Sequence, residues 1–128
     1  MRVARRYRFE AAHRLYTPRL SEETNEEVYG KCSRVGGHGH NYEMWVVFEG
    51  EVDPETGLLF SRDEVDQRVR ERVIDRVDHR NLDDVVEGVT TGERLALVFK
   101  EWLKPAFVEG PAIHRVELVE TPRNRFVA

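Results

Sequence analysis

From Val3 to His13 the odd positions read Val3, Arg5, Tyr7, Phe9, Ala11 and His13, set against Ala4, Arg6, Arg8, Glu10 and Ala12. A repeat of two residues sends alternate side chains to opposite faces, which predicts a long strand with one apolar side. The pattern returns from His38 through Val52, where His38, His40, Tyr42, Met44, Val46 and Phe48 share one side. Asp53 to Gly57 then turns the chain back towards Leu58 to Phe60. Between the two strands, Leu15 to Gly37 lacks periodicity and holds Pro18, Gly30, Gly36 and Gly37, so it reads as one long loop. The loop delivers Cys32.

The second half changes period. Ser61 with Glu64 forms a capping-box pattern, and Val65, Val69 and Val73 recur every four residues, predicting a helix from Arg62 to Val77. Asp78 to Val89 is polar and reads as a loop. Thr90 with Glu93 repeats the capping pattern, and Leu95, Val98, Phe99 and Trp102 give the stripe of a second amphipathic helix that Pro105 ends. Ile113 to Thr121 is a third strand and Arg125 to Val127 a fourth, after the Pro122 to Asn124 turn. The order strand, strand, helix, helix, strand, strand predicts an α+β domain: a four-stranded antiparallel sheet with two helices on one face. At 128 residues, 40% apolar and 34% charged, residues 1–128 suit a single globular domain. A sheet so small has exposed edges, which are usually covered or paired with another chain, so an oligomer is expected.

Charge and cysteine content narrow the function. The net charge of −4 offers no attraction to nucleic acid or anionic lipid, although arginines crowd the first segment and Glu22, Glu23, Glu26 and Glu27 follow. No stretch approaches the roughly 20 apolar residues of a membrane helix, and Met1 to Tyr7 is charged where a signal peptide would be apolar. A cytoplasmic location is therefore expected. The single Cys32 has no partner for an intrachain disulfide.

His38 and His40 leave the same face of a strand, about 7 Å apart along the backbone, a spacing that lets two imidazoles converge on one ion. His13 ends the first strand on its apolar face. Three histidines without cysteine or carboxylate are the catalytic type of zinc set, which leaves a fourth position for water or substrate. A His-x-His pair is equally the pattern of surface histidines at a sheet end. Cys32 lies six positions before His38, close enough to face the same ion; a nearby cation favours thiolate, the form that acts as base or nucleophile. Asp78 beside His79 offers a separate acid/base pair, or a helix-terminal cap. Glu120 alternates with Val116 and Leu118, an awkward place for a charge unless it meets a polar ligand. His114 reads as a packed structural histidine.

Together these residues resemble a known family. Phe9-Glu10-Ala11-Ala12-His13, Tyr29-Gly30-Lys31-Cys32, His38-Gly39-His40-Asn41-Tyr42, Asp78 to Asp83, Thr91-Gly92-Glu93 and Glu120-Thr121 are similar, in order, to the motifs of the 6-pyruvoyltetrahydropterin synthases and the 6-carboxytetrahydropterin synthases of queuosine biosynthesis. The resemblance covers essentially the whole chain. It implies the tunnelling fold, in which sheets of several subunits join into a barrel, typically a homohexamer of two trimers with active sites between subunits. It also implies roles: His13, His38 and His40 hold Zn2+, Cys32 is the base, Asp78 and His79 form a proton relay, Glu120 anchors the pterin ring and Thr91 contacts it. The implied reaction eliminates triphosphate from 7,8-dihydroneopterin triphosphate; Arg14 and Lys31 are candidate cations for the phosphates on their charge alone.

Two branches share that elimination. Five residues between Cys32 and His38 resemble the pyruvoyl branch, whereas Ser33-Arg34-Val35 looks like the carboxy branch with Gly36-Gly37 inserted. The expectation is the pyruvoyl product, with the carboxy product as the alternative. Readings of other classes are a non-catalytic zinc-binding oligomer, which would not need Cys32, Asp78 or His79, and a Cys-His acyl-transfer enzyme, which would survive zinc removal.

Overall fold

Strand β1 (Arg2–His13) and strand β2 (His38–Glu49) pair antiparallel over their full lengths, from Arg2 opposite Glu49 to His13 opposite His38. In the computed structural model, which describes all residues from Met1 to Ala128, this hairpin-like pair is the centre of the sheet. Strand β3 (Arg80–Asn81) adds to β1, β4 (Ala112–Thr121) to β2, and β5 (Asn124–Val127) to β4, giving the order β3-β1-β2-β4-β5. The sheet thus has five strands rather than the four expected, and β3 runs parallel to β1. Two residues within a polar loop carry no periodicity, so the sequence had no signal for β3.

The helices follow the predicted stripes more closely. Helix α1 (Glu22–Tyr29) precedes a 3-10 turn, Gly30–Ser33; α2 (Arg62–Val69) runs through a π-helical stretch, Arg70–Ile74, into α3 (Asp75–Val77); α4 (Gly92–Leu103) ends at the turn containing Pro105. Helix α1 corrects the expectation of a structureless Leu15–Gly37. It is polar and escapes a search for apolar periodicity, being held by hydrogen bonds instead. The Ser21 hydroxyl caps its start at the Thr24 amide. The Asn25 side chain, 1% exposed, donates to the carbonyls of Thr17, Leu20 and Ser21 and accepts from the Thr17 amide. A second correction concerns capping. Ser61 makes no side-chain cap, and the cap of α4 is Thr91 rather than Thr90.

Inward-facing positions of the strands and the stripes of the helices meet in one core of 20 buried residues. Phe9, Tyr42, Met44, Phe48, Val116 and Leu118 come from the sheet, and Val65, Val69, Val73, Leu95, Phe99 and Leu103 from the helices. Arg5 occupies an inward position of β1 yet is not orphaned: together with the Tyr7 hydroxyl (2.7 Å) it bonds to Asp66 of α2, whose carboxyl the guanidinium holds below its ordinary range. The opposite face of the sheet carries no helix.

Phe126 of β5 closes the core over the first turn of α4. A Cβ on Gly92 would lie 2.0 Å from its ring, closer than any real contact. Gly92→Ala is therefore expected to destabilise the protein by about 1–3 kcal/mol through overpacking, measured by urea denaturation. Combining it with Phe126→Leu, which empties that space, should cost less than the sum of the two single changes.

Candidate metal centre and active site

The register that sets His13 opposite His38 and Ala11 opposite His40 brings three imidazoles together at one end of the sheet, all on the helix-packed face. One ring nitrogen from each of His13, His38 and His40 lies within 4.8 Å of the others. His13 is 1% exposed and the other two are partly exposed. His13 Nδ1 sits 2.9 Å from the Thr90 carbonyl oxygen. A carbonyl only accepts, so Nδ1 carries a hydrogen, and Nε2 is the nitrogen that faces His38 Nε2, 3.0 Å away. Burial, above all, holds His38 and His40 below the ordinary histidine value; their mutual repulsion with His13 adds to this and Glu120 opposes it. Neutral rings with inward lone pairs are what a cation requires. Tetrahedral zinc with bonds of about 2.0–2.1 Å keeps its nitrogens roughly 3.3 Å apart, which the close pair reaches by a slight parting. The cluster can hold a metal ion.

Glu120 reaches the same place from β4. Its Oε1 lies 3.5 Å from His13 Nε2 and 3.8 Å from His40 Nε2, and it accepts a 3.4 Å hydrogen bond from the buried Tyr42 hydroxyl. The alternation with Val116 and Leu118 had placed this carboxylate correctly on the inner face. The strand pattern places Tyr42 on the side of His38 and His40 but assigns it no part in the site. Cys32 Sγ does not join that group of donor atoms, but its turn is tied to the end of β1. The Leu15 amide donates to the Cys32 carbonyl at 2.9 Å, and Arg14 Nε donates to the Ser33 carbonyl at 2.6 Å. Arg14 also lies over the Tyr16 ring, 4.1 Å from its centroid. Its Nε is thus engaged inside the loop.

Asp78 and His79 lie elsewhere. The Asp78 carboxylate accepts from the Glu10 amide at 3.0 Å and contacts His79 Nδ1 at 2.9 Å, and His79 Nε2 lies 3.5 Å from Glu10 Oε2. The Glu10 hydrogen bond holds the Asp78 carboxyl below its ordinary range, with His79 adding to the effect. Glu10 is an outward residue of β1, so this pair belongs to the open face of the sheet, opposite the three histidines. It borders a cleft of about 530 Å³ lined by Arg8, Glu10, Asn41, Glu43, Asp78 and His79. His79 is the one non-glycine residue with positive φ, 57°. Such a conformation is strained for a residue with a Cβ, and here the His79 amide's 2.7 Å bond to the Glu10 carbonyl holds it. Thr91 caps α4 by accepting from the Arg94 amide, and His114 pairs with Glu49 at 3.0 Å, which suits a structural role.

The model of the 6-pyruvoyl tetrahydropterin synthase family matches residues 2–128. The chain belongs to this family. It is 37% identical to the human 6-pyruvoyl tetrahydrobiopterin synthase over 126 residues, covering 95% of this chain and 86% of that protein, and 35% identical to the Drosophila melanogaster enzyme, covering 95% and 75%. The structure of the Caenorhabditis elegans 6-pyruvoyl tetrahydropterin synthase superposes with a TM-score of 0.94 at 39% identity, covering all of this chain and 94% of that one. For this family member, no helix is long and apolar enough to cross a membrane.

Lowered histidine values have a consequence for the metal-free protein. The unfolded chain takes up protons at His38 and His40 near the ordinary value of 6.5, before the folded chain does. Their contribution to stability is thus fully present above about pH 6.5 and is lost as the pH falls through the lower folded values. Denaturation midpoints at pH 7.5 and 5.5 should differ more for the parent than for a His38→Gln, His40→Gln double variant.

Proposed function

We propose that this chain is a zinc-dependent lyase that eliminates triphosphate from 7,8-dihydroneopterin triphosphate to give 6-pyruvoyltetrahydropterin. The observation that carries the reading is the cluster of three imidazoles beside Glu120, in a chain that matches the synthase family from residue 2 to 128. His13, His38 and His40 would hold the ion. Bound there, zinc supplies Lewis acidity towards the hydroxyls of the substrate's side chain.

The protein's own groups do the rest. Cys32, as thiolate, takes a carbon-bound proton, and the Asp78-His79 pair returns one to another position of the side chain. Glu120, as carboxylate, accepts paired hydrogen bonds from the pterin's amino group and ring NH, and Thr91 contacts the ring from the start of α4. The Tyr42 hydroxyl holds Glu120 in that orientation. Residues 1–128 act as one domain, and the lone thiol suits the cytoplasm. The carboxy product stands as the second reading, favoured by Ser33-Arg34-Val35 but not by the five-residue spacing from Cys32 to His38.

A complete site needs more than one copy. The relay of Asp78 and His79 faces away from the histidine cluster of its own chain, so a substrate that meets both touches the open face of a neighbour. We therefore read the assembly as a barrel of joined sheets, a homohexamer built from two trimers.

Incubation with dihydroneopterin triphosphate should release triphosphate only without chelator, and the product's mass distinguishes the pyruvoyl from the carboxy branch. Release that persists in chelator would remove the metal from the reaction. Cys32→Ala should lower turnover by about 10²–10⁴-fold and still bind zinc; loss of metal would make Cys32 a ligand instead. Refolding a mixture of inactive Cys32→Ala and His79→Ala chains should restore part of the activity, because some mixed sites receive both intact groups. A mixture as inactive as its components would mean that each site is drawn from one chain.

A further inference from the structure

Asp83 has no role in the reading above, yet both of its carboxylate oxygens are committed at the metal centre. Oδ2 accepts from the amide of Arg14, the residue that follows His13, at 2.7 Å. Oδ1 accepts from the Thr90 hydroxyl at 2.6 Å. Thr90 is fully buried, and its carbonyl receives the hydrogen of His13 Nδ1. One carboxylate thus grips His13 from two sides, through its following peptide and through the acceptor of its ring. The Arg14 side chain continues the chain of contacts to the Ser33 carbonyl beside Cys32.

We infer that Asp83 is a positioning residue of the metal centre, fixing the tautomer and pose of His13 through Thr90 and through the Arg14 amide. Metal-bound imidazoles depend on the partner of their second nitrogen, and losing such a partner typically weakens metal binding tenfold to a hundredfold. The acceptor is a backbone carbonyl, which cannot be deleted, but its position rests on the Thr90 side chain. That side chain has one charged hydrogen-bond partner, Asp83, and the short O–H···O⁻ distance marks a strong bond. Asp83 itself is exposed, so its substitution opens no cavity in the core.

The inference rests on the three histidines binding a metal, and the test separates the two claims. Metal-free protein is titrated with Co2+ against a chromophoric chelator, and the visible spectrum of the bound ion is recorded. Asp83→Asn keeps the size of the side chain but offers one oxygen acceptor instead of two. Thr90→Val keeps the shape and the carbonyl but removes the hydroxyl. Each should weaken cobalt binding about tenfold to a hundredfold and alter the spectrum of the bound ion, while Asp84→Asn, next door and without these contacts, should not. Because Asp83 and Thr90 act along one path, the double variant should lose little more than the weaker-binding single one. Unchanged affinity and spectrum in Asp83→Asn, or fully additive losses, would overturn the inference even if that variant melts at a lower temperature. A parent protein that binds no cobalt would overturn the metal reading and this inference with it.

Discussion

His13 and His38 stand opposite each other across an antiparallel ladder, and the whole histidine cluster depends on that pairing. A slip of one residue would turn His38 and His40 to the open face and bury Gly39 and Asn41 in their place. The core prevents such a slip. Phe9 stacks on Tyr42 with ring centroids 4.9 Å apart, and Tyr7 pairs with Met44, so the register that buries the aromatic side chains also gathers the imidazoles. Packing energy and site geometry are specified by the same alternation. The site occupies the end of the inner face, where the apolar pattern gives way to His13, His38 and His40.

Strand alternation also explains why chemistry appears on both faces. Inward positions of β1 and β2 end in imidazoles, whereas outward positions carry Arg6, Arg8, Glu10, Asn41 and Glu43, an open face with no helix over it. Charges there neutralise one another in pairs, such as Arg6 with Glu43 and Arg125 with the nearly buried Glu117. A helix-covered sheet normally buries one face and wets the other. The outer face here departs from that by holding Val47 and Glu117 at 4% and 9% exposure within a single chain.

The elements visible in the sequence were those whose order comes from apolar periodicity: β1, β2, the stripe through Val65, Val69 and Val73, and α4. Legible too was the shared placement of His13, His38, His40 and Glu120, which such elements carry on the inner face. What escaped was held by hydrogen bonds. Helix α1 has glutamates at four of its eight positions and one buried residue, Asn25, so its order comes from caps and from one amide satisfying four backbone groups. β3 is two residues docked on Ala11 and Ala12. The Thr90 carbonyl could not have been found at all, since a backbone acceptor leaves no mark in the choice of side chain. Asp83 was visible only as the last letter of a motif, with nothing to say which neighbours its oxygens would meet.

Polar fastening has a particular advantage for the segment that carries Cys32. Cys32 is only partly buried, so the apolar contacts of the core do not fix its position. Arg14 and Leu15 instead bind the Cys32 turn by its backbone, through residues that directly follow His13. The return of the chain is equally constrained. Gly37 has φ of 66°, and a Cβ there would lie 2.5 Å from the His13 carbonyl oxygen, so only glycine passes this point. The Gly36-Gly37 pair is thus the part of the five-residue spacer that lets the chain cross His13 and enter β2 in register. The length of that spacer is a geometric condition as well as a point of resemblance to the pyruvoyl branch. It closes the loop over His13 while leaving His38 and His40 free to enter the ladder.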